Sequence, residues 1–153
     1  GTASHEGMAG TAAAVDYFAW VGETMAGDDG DRRQKVRAGM AAIAEYEQTL
    51  ARYLVQGLQS LPGITIHGIT ADDAMSRRGP TVAFTHERHA PDDIARALAA
   101  ANIFAWSGHN YAVEVAKSLG LYESGGAVRV GPVHYNTIDE IDRLFEALGT
   151  ILN

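Results

Sequence analysis

The sequence of 153 residues contains no cysteine. This absence excludes disulfide bonds, thiolate metal ligands and a cysteine nucleophile, and it favours a cytoplasmic location. The sequence also lacks an apolar run long enough to cross a bilayer, which argues against a membrane partner, and it lacks the pattern of a signal peptide. Basic residues are scarce, because 12 Lys and Arg stand against 19 Asp and Glu, for a net charge of −7. This balance argues against nucleic acid as a partner, since polyanion binding requires a basic surface.

The remaining composition is that of a globular protein. It is 46% hydrophobic and 20% charged, which provides enough apolar material for the core of about one domain. The chain opens with Gly1-Thr2-Ala3 instead of methionine, and a helical pattern begins almost at once. We therefore expect the sequence to be a segment of a longer protein.

Two helices are predicted in the first part of the chain. Apolar residues at helical spacing predict the first from about Glu6 to Met25, and the acidic, glycine-containing stretch 27–31 is expected to end it and to cap the next. The second helix continues until Pro62-Gly63 and would be roughly 45 Å long at ~1.5 Å per residue. That length exceeds the width of a small domain, so we expect this helix to join two bodies. Its apolar stripe consists of Val36, Met40, Ile43, Leu50, Leu54, Leu58 and Leu61.

The pattern changes after Gly63 to short strands that alternate with helices. We expect an α+β sandwich, in which helices pack on a small, mostly antiparallel sheet. The predicted domains are 1–30, 31–62 and 63–153. Strands are predicted at 64–69, 81–84, 103–106 and 127–130, and helices from Pro91, over 111–121, and from a capping box at Thr137-Glu140 to about Leu152.

Arg129 lies in the middle of the apolar segment Ala127-Val128-Arg129-Val130. A guanidinium stays charged, and its burial without a partner is costly. If Val128 and Val130 face the core, Arg129 faces the other side of the sheet, where its fork of donors suits a carboxylate. The alternative is a surface arginine on an edge strand.

Other polar clusters have simpler explanations. The stretch 107–111, Ser-Gly-His-Asn-Tyr, combines groups that donate, accept and stack, but it is also typical of a capped turn. The histidines of 86–89 and the acidic residues of 28–31 lack the spacing of metal ligands, so no metal site is predicted. Lys35 and Lys117 are expected to be solvated.

Several short motifs, taken in order, resemble a known family. They are Gly1-Thr2 with Glu6-Gly7 and the stretch 13–17 near the start, and Val128-Arg129 with Tyr135-Asn136-Thr137 and the stretch 140–144 near the end. Nearly the whole chain resembles the C-terminal part of class V aminotransferase-like enzymes. These are fold-type I pyridoxal-phosphate (PLP) enzymes and include cysteine desulfurases, selenocysteine lyases and isopenicillin N epimerase.

The resemblance implies a set of roles. Thr2, with Gly1 beside it, would reach the PLP phosphate across the interface of a homodimer. Arg129 would bind the α-carboxylate of a small amino acid, and His109 and Tyr111 would lie near that substrate. The parent enzyme would be a lyase, a transaminase or an epimerase.

Two departures from the family limit this expectation. The stretch 106–112 takes the place of a desulfurase loop of the form R-T-G-H-H-C-A, so that Trp106 replaces an arginine and Tyr111 replaces the sulfur-accepting cysteine. Without a thiol, classical cysteine desulfurase chemistry is disfavoured. In addition, neither Lys35 nor Lys117 matches the family's PLP lysine, so the chain alone is expected to be inert and to self-associate through its exposed helix stripes. The alternative is a non-catalytic α+β module that binds amino acids or mediates dimerisation.

Overall fold

The computed structural model describes all residues, 1–153, as two compact units, Gly1–Tyr46 and Glu47–Asn153. Helix α1 spans His5–Ala26, and α2 spans Arg32–Ser60 and so contributes residues to both units. None of the helices has the length and apolar character needed to cross a membrane. The division at residues 30 and 62 concerns the domains of a longer enzyme and stays a prediction.

The first unit consists of α1 and the first half of α2. Both predicted helix boundaries are confirmed: Gly27, with φ 68°, ends α1, and the carboxylate of Asp31 accepts a hydrogen bond from the Gln34 amide at 2.9 Å to cap α2. The two helices approach closely at Gly22 and Gly39, where a Cβ atom on Gly39 would lie 2.1 Å from the carbonyl oxygen of Phe18. Small residues therefore determine how this helix pair packs.

The second unit is the predicted α+β sandwich. Its sheet has the order β1-β2-β4-β3, and every neighbouring pair is antiparallel. The strands are β1 Ile64–His67, β2 Val82–His86, β3 Trp106–Gly108 and β4 Ala127–Val130. The second half of α2 packs on one face of this sheet together with α3, Pro91–Ala100, and α5, Ile138–Ile151. The shared core contains Leu50, Leu54, Leu58, Met75, Val82, Phe84, Ile94, Leu98, Val128, Leu144 and Leu148.

The capping box at the start of α5 is confirmed. The Thr137 hydroxyl accepts from the Glu140 amide at 3.3 Å, and the Glu140 carboxylate accepts from the Thr137 amide at 2.8 Å. These bonds hold the pKa of the Glu140 carboxyl below its ordinary value, with help from the side chain of Asn136. The last helix thus begins where the sequence places it.

The prediction for the third strand was wrong. Residues 103–105 form no strand, and β3 begins only at Trp106, which pairs with Arg129. Continued pairing would bring Phe104 and Ile103 opposite Gly131 and Pro132, and proline has no amide to donate. Phe104 is instead 88% exposed.

Other elements are shorter or longer than predicted. Strand β1 ends before Gly68, which has φ +112°, and the fourth helix, α4, is shortened to Val113–Ser118 because Tyr111 has φ 62°. Strand β2 extends to His86, whose pairing partner is Ile64. A 3₁₀ helix at Asp72–Arg77 was not predicted.

Candidate functional site

Arg129 lies on the face of the sheet that points away from the core. Val128 and Val130 on either side of it are buried, which confirms the predicted alternation. Its strand, β4, lies between β2 and β3, so Arg129 is not on an edge strand. The guanidinium makes no hydrogen bond or ion pair with another group of this chain. An exposed guanidinium is therefore held by an interior strand of the sheet.

The strand register places three further residues beside Arg129. Ala83 in β2 and Trp106 in β3 are its direct partners, and His67 in β1 is the partner of Ala83. Directly opposed residues of antiparallel strands point to the same face, so these side chains form one row across the sheet. His67 could be found from the sequence only by knowing the pairing of β1 with β2.

His67 is held against the sheet by a hydrogen bond. Its Nε2 atom lies 3.0 Å from the hydroxyl of Thr85. Burial lowers the pKa of the His67 imidazole, because the charged form loses hydration there. The neutral ring is therefore favoured at this end of the row.

A cleft of about 220 Å³ opens over His67, Ala83 and Arg129 of this row. One side is the sheet, and the other is α4 with the loops before and after it. Its walls are mostly aliphatic, and its polar side chains come from His67, His109, Asn110 and Arg129. Such a mixture, apolar walls with a few polar groups, is typical of a small-molecule site. The apolar lining residues are Ala83, Ala112, Val115, Ala116, Leu119, Leu121 and Ala127.

The loop that leads into α4 is fixed by close backbone packing. A Cβ atom on Gly126 would lie 2.1 Å from the carbonyl carbon of Gly108, and Gly126 has φ +84°. Both the contact and the conformation require glycine here. This close approach holds the end of β3 against the start of β4. It thereby fixes the position of the loop that follows Gly108 and leads into α4.

His109, the first residue of this loop, lines the cleft, and its role in substrate binding stays a prediction. Its Nδ1 atom accepts from the Tyr111 amide at 3.2 Å, so the neutral ring has its proton on Nε2. The ring stacks on Tyr122 at a centroid distance of 6.0 Å. Tyr111 is placed differently: its side chain is 94% exposed and does not line the cleft.

The predicted cofactor-binding residues, Gly1 and Thr2, belong to the first unit. Both are exposed and precede α1, whose cap is the Ser4 hydroxyl, an acceptor of the Gly7 amide at 3.2 Å. The hydroxyl of Thr2 has no partner within the chain. It is therefore a free donor before a helix N-terminus, and this chemistry fits a phosphate oxygen.

Each of the two lysines forms an ion pair with a glutamate. Lys35 pairs with Glu23 at 3.0 Å, and Lys117 pairs with Glu114 at 3.0 Å and lies above the ring of Tyr122. Neither residue contributes to the lining.

A larger cleft of about 460 Å³ lies beside the N-terminal half of α5. It contains the exposed side chains of Phe104, Tyr135 and Arg143, but none of the predicted site residues. Size alone would favour this cleft. The smaller cleft is the better candidate because its arginine is held by an interior strand of the sheet and shares the lining with mostly apolar residues.

Known proteins provide an independent comparison. The family model for aminotransferase class-V matches residues 35–144. An aminotransferase-like protein of Gibberella zeae is 38% identical over 113 residues, which are 72% of this chain and 28% of that protein. A cysteine desulfurase of Enterobacter sp. is 30% identical over 151 residues, which are 99% of this chain and 31% of that enzyme. The chain thus spans between 28% and 31% of the length of these relatives.

Solved structures agree with these matches. The apo cysteine desulfurase of Thermococcus onnurineus has a TM-score of 0.68 and 26% identity, over 78% of this chain and 28% of that one. The cysteine desulfurase CsdA of Escherichia coli has a TM-score of 0.72 over 99% of this chain and 31% of that one. At 24% identity, the second match shows a shared fold.

Proposed function

Because the chain belongs to the class V aminotransferase family, we propose that it is the substrate-carboxylate-binding part of a PLP-dependent enzyme that acts on a small amino acid. The observation that supports this most is the free guanidinium of Arg129, which is held by an interior strand and lines a mostly apolar cleft. A bidentate pair with a carboxylate satisfies two of its donors and fixes the orientation of the bound molecule.

The bound amino acid would be oriented by residues of this chain. Arg129 holds its carboxylate, and His109, with its proton on Nε2, offers a donor on the loop side of the same cleft. When bound, PLP supplies the electron sink that such enzymes need for bond cleavage at Cα. Thr2, next to Gly1, would donate to its phosphate.

Tyr111 and the two lysines limit the classes of reaction that we propose. Tyr111 stands where desulfurases have the sulfur-accepting cysteine, so the proposed chemistry is that of a lyase, transaminase or epimerase, without covalent sulfur transfer. Lys35 and Lys117 both have carboxylate partners outside the cleft. The PLP lysine would belong to another part of the enzyme, and the chain alone is proposed to be inert.

The test uses the full-length enzyme that the proposal implies. Arg129→Ala should lower kcat/KM for its amino acid by roughly 10²-fold, because one charge-assisted bidentate pair is lost. Arg143→Ala is the matched control, since Arg143 is an exposed arginine outside this cleft. Steady-state kinetics measure both, and an unchanged kcat/KM for Arg129→Ala would contradict the proposed role.

We also propose that two copies of the chain associate through the first unit. Met8, Trp20, Met25 and Met40 are each more than half exposed there, and few apolar side chains of this unit are buried. This also supports the alternative function, a dimerisation module without catalysis. Turnover of an amino acid by the full-length protein would support the enzyme over the dimerisation module without catalysis.

Sedimentation velocity tests the association. Trp20→Glu should shift the chain toward monomer, because a charge replaces a large exposed apolar side chain. Phe104→Glu, an equally drastic change at an exposed position of the second unit, should leave the distribution unchanged. A native chain that stays monomeric at high concentration would refute this association.

A further inference from the structure

His67 is a residue of the cleft that the proposed function does not use. It lines the cleft together with Arg129, and the strand register places both side chains in one row on the face of the sheet that points away from the core. Ala83 is the one residue between them in that row. Because its side chain is a single methyl group, the floor of the cleft between the histidine and the arginine is low and apolar. A polar group therefore lies at each end of a short apolar floor.

The His67 ring leaves one nitrogen for a ligand. Its Nε2 atom lies 3.0 Å from the hydroxyl of Thr85, a contact that holds the ring on the side of β2 and away from the free edge of β1. The Nδ1 atom has no hydrogen bond within the chain and is accessible, in contrast with the unpaired and enclosed Nε2 atom of His86. An unpaired, accessible ring nitrogen at the lining of a cleft can bind a polar group of a molecule inside it.

The spacing of the strands determines what kind of molecule can contact both ends of the row. Neighbouring strands are about 4.8 Å apart, so the backbones at His67 and Arg129, two strands apart, are separated by about 10 Å. The imidazole and the guanidinium occupy part of that span. The remaining gap suits a molecule whose second polar group lies a few bonds away from its carboxylate. Glutamine has such a group at the end of its side chain, and alanine does not.

The charge of the ring determines which polar group it suits. Burial lowers the pKa of the His67 imidazole, so the neutral ring predominates at pH 7 and offers no countercharge to a second carboxylate. The Thr85 hydroxyl can donate to Nε2 or accept from it, so Nδ1 is a donor in one tautomer and an acceptor in the other. A primary amide has both a donor and an acceptor and therefore suits either tautomer.

We propose that His67 Nδ1 is a second ligand-binding atom of the cleft, which forms a hydrogen bond with the side-chain amide of an amino acid whose carboxylate is bound by Arg129. This inference rests on the proposed function for the carboxylate. It narrows the substrate class from small amino acids in general to those whose side chain ends in an uncharged polar group, as in glutamine. An aliphatic side chain of the same shape lacks a partner for Nδ1.

Two amino acids of nearly the same shape test the proposal on this chain. L-glutamine has the side-chain amide, and L-homoleucine has two methyl groups in place of the amide oxygen and nitrogen. NMR titrations, which detect weak binding, measure the dissociation constants of both. His67→Gln keeps a polar group near the Nε2 position, where Thr85 lies, but has none at the Nδ1 position. It should weaken the binding of L-glutamine by about fivefold, the effect of one net hydrogen bond, and leave that of L-homoleucine unchanged.

A conservative variant distinguishes a ligand contact from a structural role. His67→Asn has its amide near the Nδ1 position and loses the contact with Thr85, so it should retain most of the native affinity for L-glutamine. A role of His67 through Thr85 alone would give the opposite order of the two variants. The matched control is His89→Gln, because His89 is a half-buried histidine outside this cleft, and it should change neither affinity. Thermal unfolding of each variant verifies that it is folded.

The outcomes separate this inference from the proposed function. If Arg129→Gln weakens the binding of both amino acids but His67→Gln weakens neither, or weakens both equally, the role of His67 is refuted and the carboxylate site stands. If the native chain binds neither amino acid, or if Arg129→Gln affects neither, both proposals fail. A loss of affinity for L-glutamine alone in His67→Gln, which His67→Asn restores, is the result we expect.

Discussion

The two compact units bury their apolar residues in different ways. In the first unit, Val21 is the only buried large apolar side chain, and the helices meet through Gly22 and Gly39. In the second unit, a continuous core of aliphatic side chains surrounds Phe84 and joins the sheet to three helices. The difference indicates that the second unit is stabilised by its own core, whereas the first leaves most of its large apolar side chains at least partly exposed.

The largest expected effect is in the core of the second unit. Phe84 is fully buried in β2, and Phe84→Ala should lower the free energy of unfolding by about 3–5 kcal/mol, because it removes apolar contacts and leaves a cavity. Val21→Ala is the matched truncation in the first unit and should cost less, since fewer buried side chains surround it. Urea unfolding monitored by circular dichroism measures both. A larger loss of unfolding free energy for Val21→Ala than for Phe84→Ala would contradict the view that the second unit has the more important core.

A smaller effect is expected where the two helices of the first unit meet. Gly39→Ala should destabilise the packing of α1 on α2 by about 1–3 kcal/mol, because its Cβ would lie 2.1 Å from the Phe18 carbonyl oxygen. Gly10→Ala is the control, since nothing lies within 4 Å of its Cβ. Hydrogen exchange of residues 5–46 is the measurement. Unchanged protection in Gly39→Ala would mean that the glycines do not determine this packing.

The smallest expected effect is a pH dependence in the second unit. The pKa of His67 is lower in the folded chain than its ordinary value of 6.5, so the unfolded chain binds more protons. The contribution of His67 to stability is therefore complete above that value and is lost as the pH falls toward the folded pKa. Unfolding free energies of native protein and His67→Gln, between about pH 7 and about pH 5, should converge as the pH falls. Parallel curves would exclude a contribution from His67.

Local chemistry explains why much of the fold could be predicted. The caps at Asp31 and Thr137 depend on residues three positions away, and the alternation around Arg129 depends on its immediate neighbours. Such features are determined within a few residues, so the sequence pattern is sufficient to find them. The α+β arrangement follows because the strands are too short and too apolar to remain without helices packed on them.

Non-local pairing explains what could not be predicted. The start of β3 depends on Pro132, which is far along the chain from Ile103. The place of His67 beside the cleft depends on the pairing of β1 with β2, and the late start of α4 depends on the left-handed backbones of Asn110 and Tyr111. Neither the register nor such a backbone conformation leaves a pattern in the sequence around these residues.

The central claim is that the guanidinium of Arg129 binds a carboxylate. The most direct measurement is the ¹⁵N–¹H resonance of the Arg129 Nε group during titration of the native chain with L-alanine. We predict a saturable shift of this resonance while that of Arg143 stays in place. An Arg129 resonance that does not move, or one that moves no more than that of Arg143, would contradict the account.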